Sequence, residues 1–204
     1  MAIVSINILE KVQASENAMN KLVEDREKYC LYSEYIERRY TAKQGERNNQ
    51  LIAMTTFLFD VVAERSVIPL VRAYYEVNQT VFIDSLETHL YEAQEHLTNV
   101  KQRWLESLNP TEMAVYGQMK GCGVGYPDSF KICRELHRHG DDDSFYLSQD
   151  NLGKRLGINN VSRGKKGERI LNAFVGSKII KVVEKGTKRS KGRLGKATVY
   201  CWLL

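Results

Sequence analysis

The side chains best placed to do chemistry are cations. Ser162, Arg163, Lys165, Lys166 and Arg169 fall within eight residues and share them with one acid, Glu168. Lys185, Lys188, Arg189, Lys191, Arg193 and Lys196 follow on a stretch with no acid at all, spaced by Gly186, Gly192 and Gly195. Ammonium and guanidinium groups at that density attract polyanions, and nucleic acid is the commonest polyanion inside a cell. The interleaved glycines let the backbone come close to a phosphodiester chain. A solvated basic surface, a disordered basic hairpin and a localisation tract are the other readings of such a run.

Groups that would support catalysis or hold a metal do not assemble. His137 and His139 are two apart beside Asp141, Asp142 and Asp143, whereas helical metal ligands sit three or four apart. His89 and His96 are seven apart with nothing nearby to complete a site. Gly121, Gly123 and Gly125 lack the strand-then-helix setting and the G-x-G-x-x-G spacing of a dinucleotide loop, so Gly121 to Pro127 reads as a flexible turn. No nucleophile elbow, Walker loop or H-E-x-x-H motif occurs. The expectation is a protein that is not an enzyme, with no cofactor and no metal. Cys30, Cys122, Cys133 and Cys201 form no C-x-x-C pair and read as reduced thiols in a cytoplasm.

The 204 residues suffice for two modules, each with a core of its own. The net charge of +5 conceals a division. Residues 1 to 150 carry 16 basic against 23 acidic side chains, and residues 151 to 204 carry 14 against 2. No apolar run reaches the roughly 18 residues of a membrane span, and the N-terminus lacks the basic start of a signal peptide, so a soluble cytoplasmic protein without membrane contact is expected.

The elements that must carry these cations can be read from periodicity. Residues 3 to 40 suggest one or two partly exposed helices, and Asn49 to Val62 a helix rich in Leu, Ile, Met and Phe. Ser66 fits an N-cap for a helix running to about Val77, with Pro69 in its first turn. Leu86, Leu90, Ala93, Leu97, Val100 and Trp104 make one stripe on a long helix from Asp84 to Leu108, either a core face or the seam of a homodimer. Asn109-Pro110 marks a break and a domain boundary, giving a helical domain over 1–109 and a second domain over 110–204. A short helix over 111–120 precedes the glycine turn.

Beyond it, the spacing predicts a helix over Ser129–Arg138, a short strand at Phe145–Leu147, and a helix Gln149–Leu156 capped by Ser148 and ended by Gly157. Ile158, Asn159 and Asn160 form a turn into a second helix, about Val161 to Val175, with Ile170, Leu171 and Phe174 inward. Its cations lie in its first half, against the helix dipole, where a recognition helix would need them. Gly164 and Gly167 each cost that helix about 1 kcal/mol relative to Ala. Lys178–Val183 and Ala197–Leu203 alternate as strands around the basic loop Glu184–Lys196.

This order, from FKICRELHRHG through LSQDNLGKRLGI to KVVEKGTKRSKGRLGKATVYCWLL, resembles the winged helix-turn-helix superfamily across 111–204. The resemblance implies a mainly α protein: an N-terminal helical domain, then a winged-helix (α+β) domain with a C-terminal β-hairpin wing. It also implies DNA contact, duplex or single-stranded, through the second helix and the wing. GERNNQLIAMTTFLF, Gly45 to Phe59, resembles the G-x-R-N-n-x-L opening of the helical domain that follows primase-polymerase cores in plasmid, phage and mobile-element replication proteins. Gly45, Arg47, Asn48 and Asn49 match that motif. The resemblance implies template or partner contact beside a primase, polymerase or helicase, in a bacterial, phage or plasmid setting, without synthesis activity because the polymerase core is missing. A transcriptional regulator with an N-terminal dimerisation domain and a protein-interaction winged helix are the alternatives, and a capped turn opening a buried helix is the plain reading of Gly45 to Phe59.

Overall fold

The computed structural model describes residues 47–140, 143–159, 161–187 and 196–204. The expectations for residues 3–40, for Gly45, for Asp141, Asp142 and Asn160, and for Lys188, Arg189, Lys191 and Arg193 lie outside them. The protein is mainly helical with a small antiparallel sheet. Its described elements are α1 (Arg47–Val61), α2 (Glu64–Val77), α3 (Leu86–Glu106), α4 (Pro110–Met119), α5 (Tyr126–Arg138), β1 (Ser144–Leu147), α6 (Gln149–Arg155), α7 (Arg163–Gly176), β2 (Ile180–Glu184) and β3 (Thr198–Trp202). None of these helices is long and apolar enough to cross a membrane.

Packing divides the chain into two compact units, but not at residue 109. One comprises the chain up to Met54 with Ile68–Glu95, the other Thr55–Val67 with His96–Leu204. The second unit takes in residues upstream of the expected boundary because they supply its core and its buried hydrogen bonds. Phe59 packs edge-on against Trp104 with ring centroids 6.1 Å apart. Leu97, Val100 and Trp104, from the apolar stripe of α3, are buried within the chain.

Two further starts differ from the sequence reading. α2 begins at Glu64, before Ser66, because the Asp128 carboxylate accepts the Glu64 backbone N–H at 2.9 Å and supplies the cap from another segment. Ser66 is thereby inside the helix and buried, and Pro69 lies beyond the first turn. α5 starts at Tyr126, three residues before Ser129, with Pro127 in its first turn. α4 starts at Pro110, where the Asn109-Pro110 break predicts, and the structure adds a capping box there: Asn109 Oδ1 accepts the Glu112 N–H and the Glu112 carboxylate accepts the Asn109 N–H.

The sheet order is β1-β3-β2, all antiparallel, with Phe145 opposite Tyr200 and Ile180 opposite Trp202. Alternation sends Phe145 and Leu147 inward and leaves Tyr146 exposed. A bulge between Val182 and Glu184 leads into the hairpin. Its base is closed where the Thr187 N–H donates to the Lys196 carbonyl at 3.1 Å and the Gly186 N–H to Thr198 Oγ1 at 3.1 Å.

At the centre of this unit lies a buried guanidinium. Arg134 Nε donates to Glu112 Oε1 at 2.8 Å, Nη1 to Glu135 Oε1 at 2.9 Å, and Nη2 to the Ser107 carbonyl at 2.8 Å. Trp104 Nε1 donates to the same Glu135 oxygen at 2.8 Å, and Trp202 Nε1 to Glu112 Oε1 at 3.3 Å. Burial alone would raise the Glu112 carboxyl, but the Arg134 hydrogen bond and charge, with the Asn109 backbone N–H, hold it below the usual carboxylate range. Removing one member of a buried ion pair leaves the others uncompensated, at a cost of about 3–5 kcal/mol. Arg134→Leu is therefore expected to cost about that much in urea unfolding, whereas Arg138→Ala, which removes the half-exposed guanidinium on Glu135, should cost less than about 1 kcal/mol. Equal losses would mean that Arg134 does not hold this unit together.

Candidate nucleic-acid interface

The basic helix α7 is held by its crossing with α6. Ser148 Oγ accepts the Asn151 N–H at 3.0 Å and caps α6, as its position predicts. Gly157 ends that segment with φ 64°, a conformation that glycine adopts without a Cβ penalty. Ile170, Leu171 and Phe174 are buried, and Ile158 is half-buried. Gly153 and Gly167 sit at the crossing itself. A methyl group on Gly167 would collide with the Gln149 carbonyl, and one on Gly153 with the backbone and side chain of Arg163. Gly164, by contrast, faces open space. The two glycines of α7 thus differ in role: Gly167 permits close helix packing, and Gly164 does not take part in it.

The cations of α7 separate in the same way. Ser162, Lys165, Lys166 and Arg169 are exposed. Among the described residues no acid pairs with these three cations, although α7 has no acidic residue in its first turn to offset the dipole. Arg163 stands apart from them: its Nε donates to Asp150 Oδ1 at 2.6 Å and its side chain is largely covered. It fastens α7 to α6 and is not presented with the others. Ser162, just before the helix, donates through its N–H and its hydroxyl to Asn159 Oδ1, at 3.3 and 2.9 Å. In the hairpin, Lys185 and Lys196 are exposed at the base.

A cleft of about 450 Å³ opens between the N-terminal half of α7 and the 122–126 loop. Lys165, Lys166 and Arg169 line it from the helix, and Val124 and Tyr126 from the loop. The loop was legible only as a turn. Its glycines take φ values of 111° at Gly123 and 97° at Gly125, and Gly125 opens α5 without a side-chain cap. Nothing in the spacing of Gly121 to Pro127 indicates that it faces the basic helix some 40 residues later.

Two other clusters have an internal explanation. Asp60, Glu135 and His139 bring ligand-type atoms within 4.8 Å of one another. Glu135, however, already accepts from Trp104, Arg134 and Arg138, and the Lys131 and Arg134 charges stand close by. Burial, with the Glu135 charge, pushes Asp60 up to about 6. His139 Nε2 lies 3.7 Å from Asp60 Oδ2 and supplies part of the balance. Lys131 is buried over the Phe59 ring at 3.9 Å, its Nζ donating to the Val62 carbonyl at 2.9 Å, and burial brings it down to about 8.

In the first unit, Arg47 pairs with Asp84 and Glu92, each at 2.8 Å, and its Nη1 lies 3.5 Å from His89 Nδ1. Its guanidinium is occupied within the chain, and among the described residues of the motif Asn48 and Asn49 are exposed. His89 is enclosed by Tyr75 and Phe82, with ring centroids at 5.0 and 5.3 Å. Its Nε2 is buried without a partner among the described residues.

Comparison with protein-family models, curated proteins and solved structures finds no match to this chain.

Two measurements follow from this geometry. Gly167→Ala should lower stability by about 1–3 kcal/mol through overpacking, while Gly164→Ala should be neutral or stabilise by up to about 1 kcal/mol. The same sign for both changes would contradict the packing role of Gly167. For His89, burial and the Arg47 charge lower the imidazole from 6.5 to about 4. Between those values the unfolded chain binds a proton that the folded one refuses, so this group's contribution to stability falls as pH drops from 6.5 towards 4. Urea midpoints of the wild type relative to His89→Leu should diverge across that window, and parallel curves would refute it.

Proposed function

We propose that this chain is a DNA-binding protein that contacts nucleic acid through α7 and the β2–β3 hairpin, without catalytic activity of its own. The observation that carries the reading is the trio Lys165, Lys166 and Arg169: exposed, without an acidic partner among the described residues, and on the N-terminal half of a helix anchored by its crossing with α6. Unpaired cations at the positive end of a helix dipole are unfavourable in the free protein and become favourable against phosphate. The element order α5-β1-α6-α7-β2-β3, with a β1-β3-β2 sheet, supports a winged helix-turn-helix reading. In that reading α7 is the recognition helix, and the hairpin base with Lys185 and Lys196 begins the wing. The short-range crossing permitted by Gly153 and Gly167 is consistent with it.

The biological setting we favour is a cytoplasmic accessory role in replication, beside a primase, polymerase or helicase. Its support is the likeness of Gly45 to Phe59 to the primase-associated helical domain. Arg47 is engaged within the chain, so among the described residues of the motif the exposed amides Asn48 and Asn49 are the ones available for template or partner contact.

Fluorescence anisotropy with labelled duplex and single-stranded DNA across a salt series tests the central reading. The intact protein should bind, with a log–log salt slope that shallows by about 0.9 for each duplex phosphate contact removed. Lys165→Ala/Lys166→Ala/Arg169→Ala and Lys185→Ala/Lys196→Ala should each weaken binding and flatten that slope. Absence of binding by the intact protein at low salt would refute the proposal.

A further inference from the structure

The cations of α7 do not stand on a bare ridge. Lys165, Lys166 and Arg169 form one wall of the 450 Å³ cleft, and the opposite wall is apolar or aromatic. Val124 is 69% exposed at this site, which leaves its branched aliphatic side chain open to a ligand rather than to the core. Tyr126 is half-buried, its ring braced edge-on against Phe174 with centroids 6.2 Å apart, and Ile170 adds a buried aliphatic surface. The volume falls in the range of small-molecule sites, roughly 300–1,000 Å³.

This pairing of walls selects a ligand chemistry. An inorganic anion would use the cations and leave the apolar wall wet. A paired base in a duplex has both faces stacked and its edges engaged, so it cannot enter a concavity of this size. A nucleoside phosphate with a free base satisfies both walls: phosphate oxygens on Lys165, Lys166 and Arg169, and the base against Tyr126 and Val124. We propose that the cleft between α7 and the 122–126 loop seats one unpaired nucleotide. The inference rests on the reading of α7 as a nucleic-acid-binding helix and adds to its phosphate contacts a seat for an unstacked base. Two sources share this chemistry, a free nucleotide and an unpaired or terminal nucleotide of a bound strand.

Cys122 gives a direct reporter, because it lines the cleft as an exposed free thiol, whereas Cys133 is buried and Cys201 is half-covered elsewhere. The rate of Cys122 alkylation by iodoacetamide, mapped by mass spectrometry on the full wild-type chain and referenced to Cys201, should slow by roughly 1 + [L]/Kd when the cleft fills, or about fivefold at four times Kd. The probes are a mixture of nucleoside triphosphates, a hairpin DNA with a short single-stranded overhang, a dumbbell duplex closed at both ends by non-nucleotide polyether linkers so that it has no unpaired nucleotide, and inorganic phosphate at matched ionic strength. Protection by the triphosphates identifies a free nucleotide as the source, and protection by the overhang alone identifies the strand. Val124→Trp, which fills the cleft at an exposed position and keeps every cation, should abolish protection while leaving dumbbell affinity by anisotropy unchanged.

Protection by inorganic phosphate or by the dumbbell stem equal to that by the overhang would overturn the proposal in favour of a backbone-phosphate seat. No protection by any probe, with dumbbell binding intact, would also overturn it and leave the helix-and-hairpin reading standing. Loss of DNA binding altogether would remove the broader reading, and the triphosphate arm would then decide alone whether the cleft takes a nucleotide.

Discussion

The second unit is organised around the buried guanidinium of Arg134. Arg134 is 5% exposed, and its three nitrogens reach the end of α3, the first turn of α4, and the neighbouring carboxylate on α5. Two indole N–H groups, from α3 and β3, donate to the same two carboxylates. One guanidinium and two carboxylates leave the core with a net negative charge that the flanking Arg138 partly offsets. An apolar core of equal volume can be as stable, so the value of such a cluster lies in specificity. The Arg134 nitrogens bring acceptors from three segments to one point and tie the register of those helices together. α5 is fixed by that register, and α5 in turn carries the loop that faces α7.

A second constraint acts at the basic helix. Cations stand near the positive end of the α7 dipole, which weakens the helix by itself. The structure offsets this with packing. Ile170, Leu171 and Phe174 are buried behind the charged face, Arg163 clips to Asp150, and Gly153 and Gly167 let α6 and α7 approach to backbone contact. The helix is ordered by its neighbours, so its exposed face is free to be unfavourable.

Much of this was legible in the chain because it is local. Asn109-Pro110, Ser148 before α6 and the 3.6-residue stripe of α3 are all local signals, and each is found where the spacing put it. The errors are those of distance. The cap of α2 comes from Asp128, 64 residues later, so Ser66 looked like the cap although it lies inside the helix. Gly164 and Gly167 are equivalent to any propensity scale and differ only in what lies opposite them. Arg47 stood in a motif suggesting an outward role, yet Asp84 and Glu92 hold it through contacts more than 35 residues away in sequence. The cleft joins a glycine turn to a helix, and neither segment alone indicates a concavity.

The α1–α2 connection has a bearing on inheritance as well as folding. Ala63 donates to the Arg155 carbonyl, Arg155 to the Val61 carbonyl, and Arg65 to the Leu156 carbonyl, so the end of α6 is stitched to a short segment far upstream. Lys131 adds a fourth tie to the Val62 carbonyl. The basic C-terminal half is therefore no portable cassette. Recombination that moved residues 110–204 to another chain would carry the cations but strand these four donors and acceptors. The segment 55–67 would have to travel with that half for these ties to be kept.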